Sequence, residues 1–132
     1  MTTITVKTVE ELLSLRNSKG AIEIEGSLII ECNVPQEGCG EKINGIRVNN
    51  LACSVDLYCD GNLDCRGYLD CRGNLSCRGD LDCRDDLDCR GDLSCSGNLF
   101  CFGSLTCGGN LSCNGYLTCL GYLSCHGNLT CQ

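Results

Sequence analysis

The chain is poor in the residues from which active sites and nucleic-acid surfaces are usually built. One histidine, His126, stands among 132 residues. It follows Cys125 at an outward position, and no Ser-His-Asp arrangement can be assembled around it. No catalytic residue is assigned, and the chain is read as a non-enzyme. Positive charge is scarce: 10 Lys and Arg against 17 Asp and Glu leave a net charge of −7. A nucleic-acid-binding surface needs a basic footprint, so that partner is excluded. No apolar run approaches the roughly 20 residues that span a bilayer, which excludes a membrane partner. The start, MTTITVKTVEELL, lacks the basic and apolar regions of an export signal, so a cytoplasmic location is expected. Glycine-bounded, oxygen-rich calcium loops are missing as well, and no cofactor is expected.

What the chain has in excess is cysteine, 16 residues, and glycine, 17. Both belong to one hexapeptide, Leu-x-Cys-x-Gly-x. Leucine recurs every sixth residue from Leu51 to Leu129, cysteine from Cys53 to Cys131, and glycine from Gly61 to Gly127 with Asp85 as the exception. A short fixed period marks a stacked repeat, in which each unit buries its apolar face on its neighbours. Disulfide frameworks have irregular Cys spacings, and zinc sites pair ligands two to four residues apart. The regular column reads instead as buried reduced thiols packing as small hydrophobes. No metal ligand is assigned.

Leu, Cys and Gly alternate with Asp, Asn, Ser, Thr, Arg and Tyr. Alternation places the first set on one side of an extended strand. Six residues hold a short strand and a corner, with glycine expected to supply the corner through positive φ. On that reading Asp85→Gly is neutral or stabilising. Repeated corners wind the chain into an all-β, parallel β-solenoid. The coil is expected to be two-sided, with two hexapeptides (about 12 residues) per turn. Thr106, Thr118 and Thr130 recur at every second hexapeptide, as do Asn62, Asn74, Asp86, Asn98 and Asn110. The alternative is a triangular coil of three hexapeptides (about 18 residues), on which Asp64, Asp70, Ser76, Asp82, Asp88 and Ser94 repeat.

Residues 1–50 read as an N-terminal cap with irregular first coils, and residues 51–132 as the regular solenoid, in one continuous domain. Thr8 and Glu11 have capping-box spacing, and Val9, Leu12, Leu13 and Leu15 form an apolar stripe, so a helix is predicted at about 8–17. Ile22, Ile24, Gly26, Leu28 and Ile30 alternate as the repeat does, and Ile46 and Val48 resume the pattern after a loop at 33–42. Cys32 and Cys39 fall outside the column.

Over roughly residues 22–132 the pattern resembles parallel β-solenoids. Bactofilins are similar as small polymer-forming cytosolic solenoids, though their coils lack the Cys column. Hexapeptide-repeat acyltransferases resemble it in placing an aliphatic residue near a small one, as Leu63 with Gly61, which implies a triangular coil. Their catalytic histidine sits on an inserted loop that this repeat lacks. Insect antifreeze proteins look like a two-sided coil with Cys inside and Thr outside, as in Leu105-Thr106-Cys107. Pentapeptide-repeat DNA mimics are similar acidic rods with a period of five.

Two candidate surfaces follow. The repeat runs bare to Gln132, and a sheet end left open is a template for another chain. Leu120, Tyr122, Leu123, Leu129 and Cys131 are the expected contacts of a self-assembly interface. A dimer through C-terminal ends is the simplest product, and a filament follows if N-terminal ends also meet. The alternative is a binding rod, acting through the rank Thr106, Thr118, Thr130 on ice or another surface or as an acidic decoy, or a thiol-based metal or redox protein. Asp64/Arg66, Asp70/Arg72, Asp82/Arg84 and Asp88/Arg90 are expected to form a salt-bridged solvent face.

Overall fold

Each Leu-x-Cys triplet forms its own short strand, and every coil of the regular repeat holds three of them. The computed structural model describes residues 2–32 and 43–131. In chain order the elements are β1 (Thr2–Val6), α1 (Val9–Ser14), β2 (Ala21–Glu23), β3 (Gly26–Ile30), β4 (Gly45–Val48), β5 (Asn50–Cys53), β6 (Leu57–Cys59), β7 (Asn62–Cys65) and β8 (Leu69–Cys71). Then follow β9 (Leu75–Cys77), β10 (Leu81–Cys83), β11 (Leu87–Cys89), β12 (Leu93–Cys95) and β13 (Leu99–Cys101). The last are β14 (Leu105–Cys107), β15 (Leu111–Cys113), β16 (Leu117–Cys119), β17 (Leu123–Cys125) and β18 (Leu129–Cys131). The loop expected at 33–42, with Cys39, lies outside the described residues.

The strands stack into three parallel sheets, not two. Sheet A runs β1-β3-β5-β8-β11-β14-β17, sheet B runs β2-β4-β7-β10-β13-β16, and sheet C runs β6-β9-β12-β15-β18. Leu87 pairs with Leu69 and Leu105, and Cys89 with Cys71 and Cys107. Each of those partners is three hexapeptides away, so the two-sided coil is corrected to the triangular one. Hydrogen bonding continues around the corners: Gly79 N donates to Gly61 O at 3.0 Å and Gly97 N to Gly79 O at 3.0 Å.

The corners explain the glycine differently from a positive φ. The only described residues with positive φ are Gly20 and Gly26, both outside the repeat. In the repeat, glycine is required by close approach. A Cβ on Gly91 would lie 2.9 Å from both the carbonyl carbon and oxygen of Gly73 one coil below, and against Asn74 Oδ1. From Asn62 to Asn110, where the residue after the corner position is Asn, Asp or Ser it uses that closeness: its side-chain oxygen accepts a backbone N–H one coil on. Asn74 Oδ1 accepts from Asp92 N at 2.8 Å, and Asp92 Oδ1 from Asn110 N at 2.8 Å.

Asp85 now has a physical account. The residue one coil below Asp86 is Tyr68, which supplies no side-chain acceptor of the kind that Asn, Asp or Ser supplies at the other corners. Asp86 N donates instead to Asp85 Oδ1 at 2.9 Å. The exception supplies the bond that its neighbour cannot.

Leu and Cys point inward and form one continuous core from Val6 to Cys113. Leu87, Leu93 and Leu99 are about 1% exposed, each contributing about 1.5–3 kcal/mol by burial. The capping box forms as expected: Glu11 N donates to Thr8 Oγ1 at 3.1 Å and Thr8 N to Glu11 Oε1 at 3.1 Å. The helix is shorter than predicted, and Leu12 is its fully buried residue. Residues 2–6 form an additional strand that pairs with β3. Helix α1 follows a sheet A strand and precedes a sheet B strand, the interval that later coils fill with a sheet C strand.

Candidate functional site

The interior of the rod carries three columns of thiols. Cys53, Cys71, Cys89, Cys107 and Cys125 stack in sheet A; Cys65, Cys83, Cys101 and Cys119 in sheet B; Cys59, Cys77, Cys95, Cys113 and Cys131 in sheet C. All are free thiols. From Cys71 onward each Sγ reaches the carbonyl of the residue at the glycine position one coil below, as Cys77 to Gly61 O at 3.1 Å and Cys113 to Gly97 O at 3.4 Å. Cys71 stacks in register between Cys53 and Cys89. Burial pushes the Cys65, Cys107 and Cys113 thiols up from their ordinary pKa, because a thiolate there loses water. Among the described residues, no group of three or more His, Cys, Asp or Glu could hold a metal ion. A tetrahedral thiolate site is therefore not formed by these columns.

The columns surface at one place. β16, β17 and β18 each pair on one side only, so three strand edges end together. Core burial fails across this last coil. Leu111 is fully buried, whereas Leu123 is 41% and Leu129 49% exposed, and Cys131 is exposed. Leu120 at 62% and Tyr122 at 86% stand beside them. The expected interface residues are thus brought to one end of the rod.

The sequence replaces the Arg and Asp of earlier repeats by Phe100, Phe102, Tyr116, Leu120 and Tyr122, and the fold carries part of that swap along one corner. Phe100 and Phe102 pack edge to face with centroids 4.7 Å apart. In the register of three hexapeptides per coil Arg66, Arg84, Phe102 and Leu120 form one column, so the swap from Arg to apolar residues falls on a single line toward the C-terminal face. That line is visible only once the coil length is known.

The threonine rank does not survive the fold. Thr106 lies on β14 in sheet A, Thr118 on β16 in sheet B and Thr130 on β18 in sheet C. They face three directions and form no flat binding surface. The charged face is also rearranged. The ion pairs between described residues are Arg47–Asp64 at 3.5 Å and Arg78–Asp60 at 3.7 Å, and both run between coils. The four expected i, i+2 pairs are not among them. Asp64 and Asp82 stack directly. Burial, and then the Asp64 charge, raises the Asp82 carboxyl pKa, with Arg84 opposing. His126 is exposed on the last coil.

Two shallow grooves lie on and beside the sheet B face near the N-terminal end. One, of about 320 Å³, is lined by Glu23, Asn44, Arg47 and Asp64; the other, of about 300 Å³, by Glu25, Arg47 and Arg66. Neither touches the thiol columns. Among the described residues, no helix is long and apolar enough to cross a membrane. No family model matches the chain, and neither a curated protein nor a solved structure matches it.

Proposed function

We propose that this chain is a non-enzymatic structural rod, working in the cytoplasm, whose partner is a second copy of itself joined through the C-terminal face. The observation that carries the reading is the last coil, where three strand edges and the exposed Leu123 and Leu129 end together. Unpaired N–H and C=O groups on such edges favour pairing with another chain.

The staircase of the coil supports a two-fold contact. β16, β17 and β18 follow one another around the three sheets, each rising by about a third of the roughly 4.8 Å coil spacing. An axis through the middle of β17 sets β17 against its own copy, and β16 against the partner's β18. The rises then cancel at all three edges, and every junction is antiparallel. Leu123 faces the partner copy's Cys125, and Ser124 lies on the axis. Such an isologous contact closes on itself. A filament requires a second contact between N-terminal ends. The net charge of −7 supports a partner other than nucleic acid, and the free described thiols fit a reducing compartment.

Sedimentation at micromolar concentration tests the reading. Ser124 is exposed, so Ser124→Arg should leave the monomer intact while placing like charges across the axis. The dimer should weaken by about 1 kcal/mol, or roughly fivefold in Kd. Mixing Ser124→Arg with Ser124→Asp should restore it. A charged, proline-containing extension after Gln132 should yield monomers. A wild-type chain that is already monomeric, or a mixture that fails to recover, overturns the contact.

A further inference from the structure

The three thiol columns end in three stacked pairs, Cys101 with Cys119, Cys107 with Cys125 and Cys113 with Cys131. In each pair the lower cysteine is fully buried, while Cys119 and Cys125 are half-buried and Cys131 is exposed. Parallel neighbouring strands stand about 4.8 Å apart. Their Cβ vectors run side by side, which suits poorly the near-perpendicular dihedral of a disulfide. In-register stacking nevertheless sets the two cysteines of each pair on the same inner face, one strand spacing apart.

We propose that these three end pairs are two-coordinate sites for a soft monovalent cation such as Cu(I), one cation between the two sulfurs of each pair. Thiolate sulfur selects soft ions, and a pair in line supplies the two ligands that a monovalent d10 ion accepts. Zinc and iron–sulfur clusters need three or four protein ligands, and no such group exists among the described residues. Binding is an exchange without electron transfer. Two S–H bonds break, two S–Cu bonds form, two protons leave to solvent, and copper stays Cu(I).

Charge explains why the end pairs load and the interior pairs do not. Two thiolates and one monovalent cation leave one negative charge at the pair. Deep in the column that charge would sit in an apolar core away from water, at high cost. At the last coil its outer sulfur is reached by solvent, and the cation has a path in.

The inference does not rest on self-association, and the experiment is run on both wild type and Ser124→Arg, each at a concentration where sedimentation shows monomer. Reduced, anaerobic full-length chain is titrated with Cu(I) supplied as its acetonitrile complex against bicinchoninate as the competing chromophore. Three tight equivalents per chain are expected, each releasing two protons. X-ray absorption should give two sulfur neighbours per copper, and zinc should not compete. Cys119→Ser, Cys125→Ser and Cys131→Ser should each remove one equivalent, and the triple variant all three, with the circular dichroism unchanged. Retention of copper by the triple variant, three or four sulfurs per copper, or copper-dependent joining of Ser124→Arg chains would each overturn the proposal. The absorption measurement on wild type decides the matter even where a variant fails to fold.

Discussion

Asp85 is the position where sequence and structure disagree most sharply about a single change. If glycine were needed there for positive φ, Asp85→Gly would relieve strain. The fold reverses that sign. Asp86 N donates to Asp85 Oδ1 at 2.9 Å, where the other corners use an Asn, Asp or Ser oxygen from the coil below. Loss of this exposed bond costs about 0.5–1 kcal/mol. Glycine also widens the unfolded ensemble, which adds about 0.4–1 kcal/mol of the same sign. Asp85→Gly should therefore destabilise by about 1–2 kcal/mol. The partner substitution is Tyr68→Asn, which restores the acceptor found at the equivalent Asn50, Asn62 and Asn74. Alone it sets an amide oxygen against the Asp85 Cβ and should destabilise. Combined with Asp85→Gly it should recover the lost hydrogen bond. A double-mutant cycle in urea, followed by far-UV circular dichroism, should show a coupling of at least about 1 kcal/mol. Additive effects, or a stabilising Asp85→Gly, would refute the hydrogen-bond account of this corner.

Gly91→Ala should destabilise by about 1 kcal/mol or more, because its Cβ meets the Gly73 carbonyl 2.9 Å away and backbone cannot yield as a flexible side chain can; thermal unfolding checks it, and an unchanged midpoint counts against the close-approach argument. Thiol labelling of native protein should reach Cys131 first, then Cys119 and Cys125, while Cys65, Cys83 and Cys95 react only after denaturation. Equal rates along the column would contradict the dry core. Stability should be flat from pH 7 to about 8.5 and then fall. Buried thiols such as Cys65, Cys107 and Cys113 have folded pKa values raised above their ordinary 9.0, so their contribution is complete below the unfolded pKa and is lost as pH rises from there toward the folded pKa. Each such thiol contributes a slope of up to about 1.4 kcal/mol per pH unit, and an unchanged urea midpoint at pH 10 would sink the burial argument.

Much of the architecture was legible because it is local. Alternation alone placed Leu87 and Cys89 inside and Asp88 outside, since successive side chains on a strand point to opposite faces. The Thr8–Glu11 capping box was equally local, being closed by atoms three residues apart. The stacking of a short repeat into a parallel solenoid followed from its period. Coil length did not, because each hexapeptide is the same whichever neighbour lies above it, and a near-uniform repeat votes weakly between partners two and three hexapeptides away. Only tertiary pairing decided it, and with it the fate of every surface. Thr106, Thr118 and Thr130 are evenly spaced in the chain but were sent to three different faces. Arg47 was brought against Asp64, and Phe102 into line with Leu120. The reason for glycine also belonged to the fold: the constraint is a carbonyl one coil below, not the residue's own dihedral. The Tyr68–Asp85 pair carried the true coil length in the sequence all along, but its meaning depends on a hydrogen bond that exists only when each coil holds three hexapeptides.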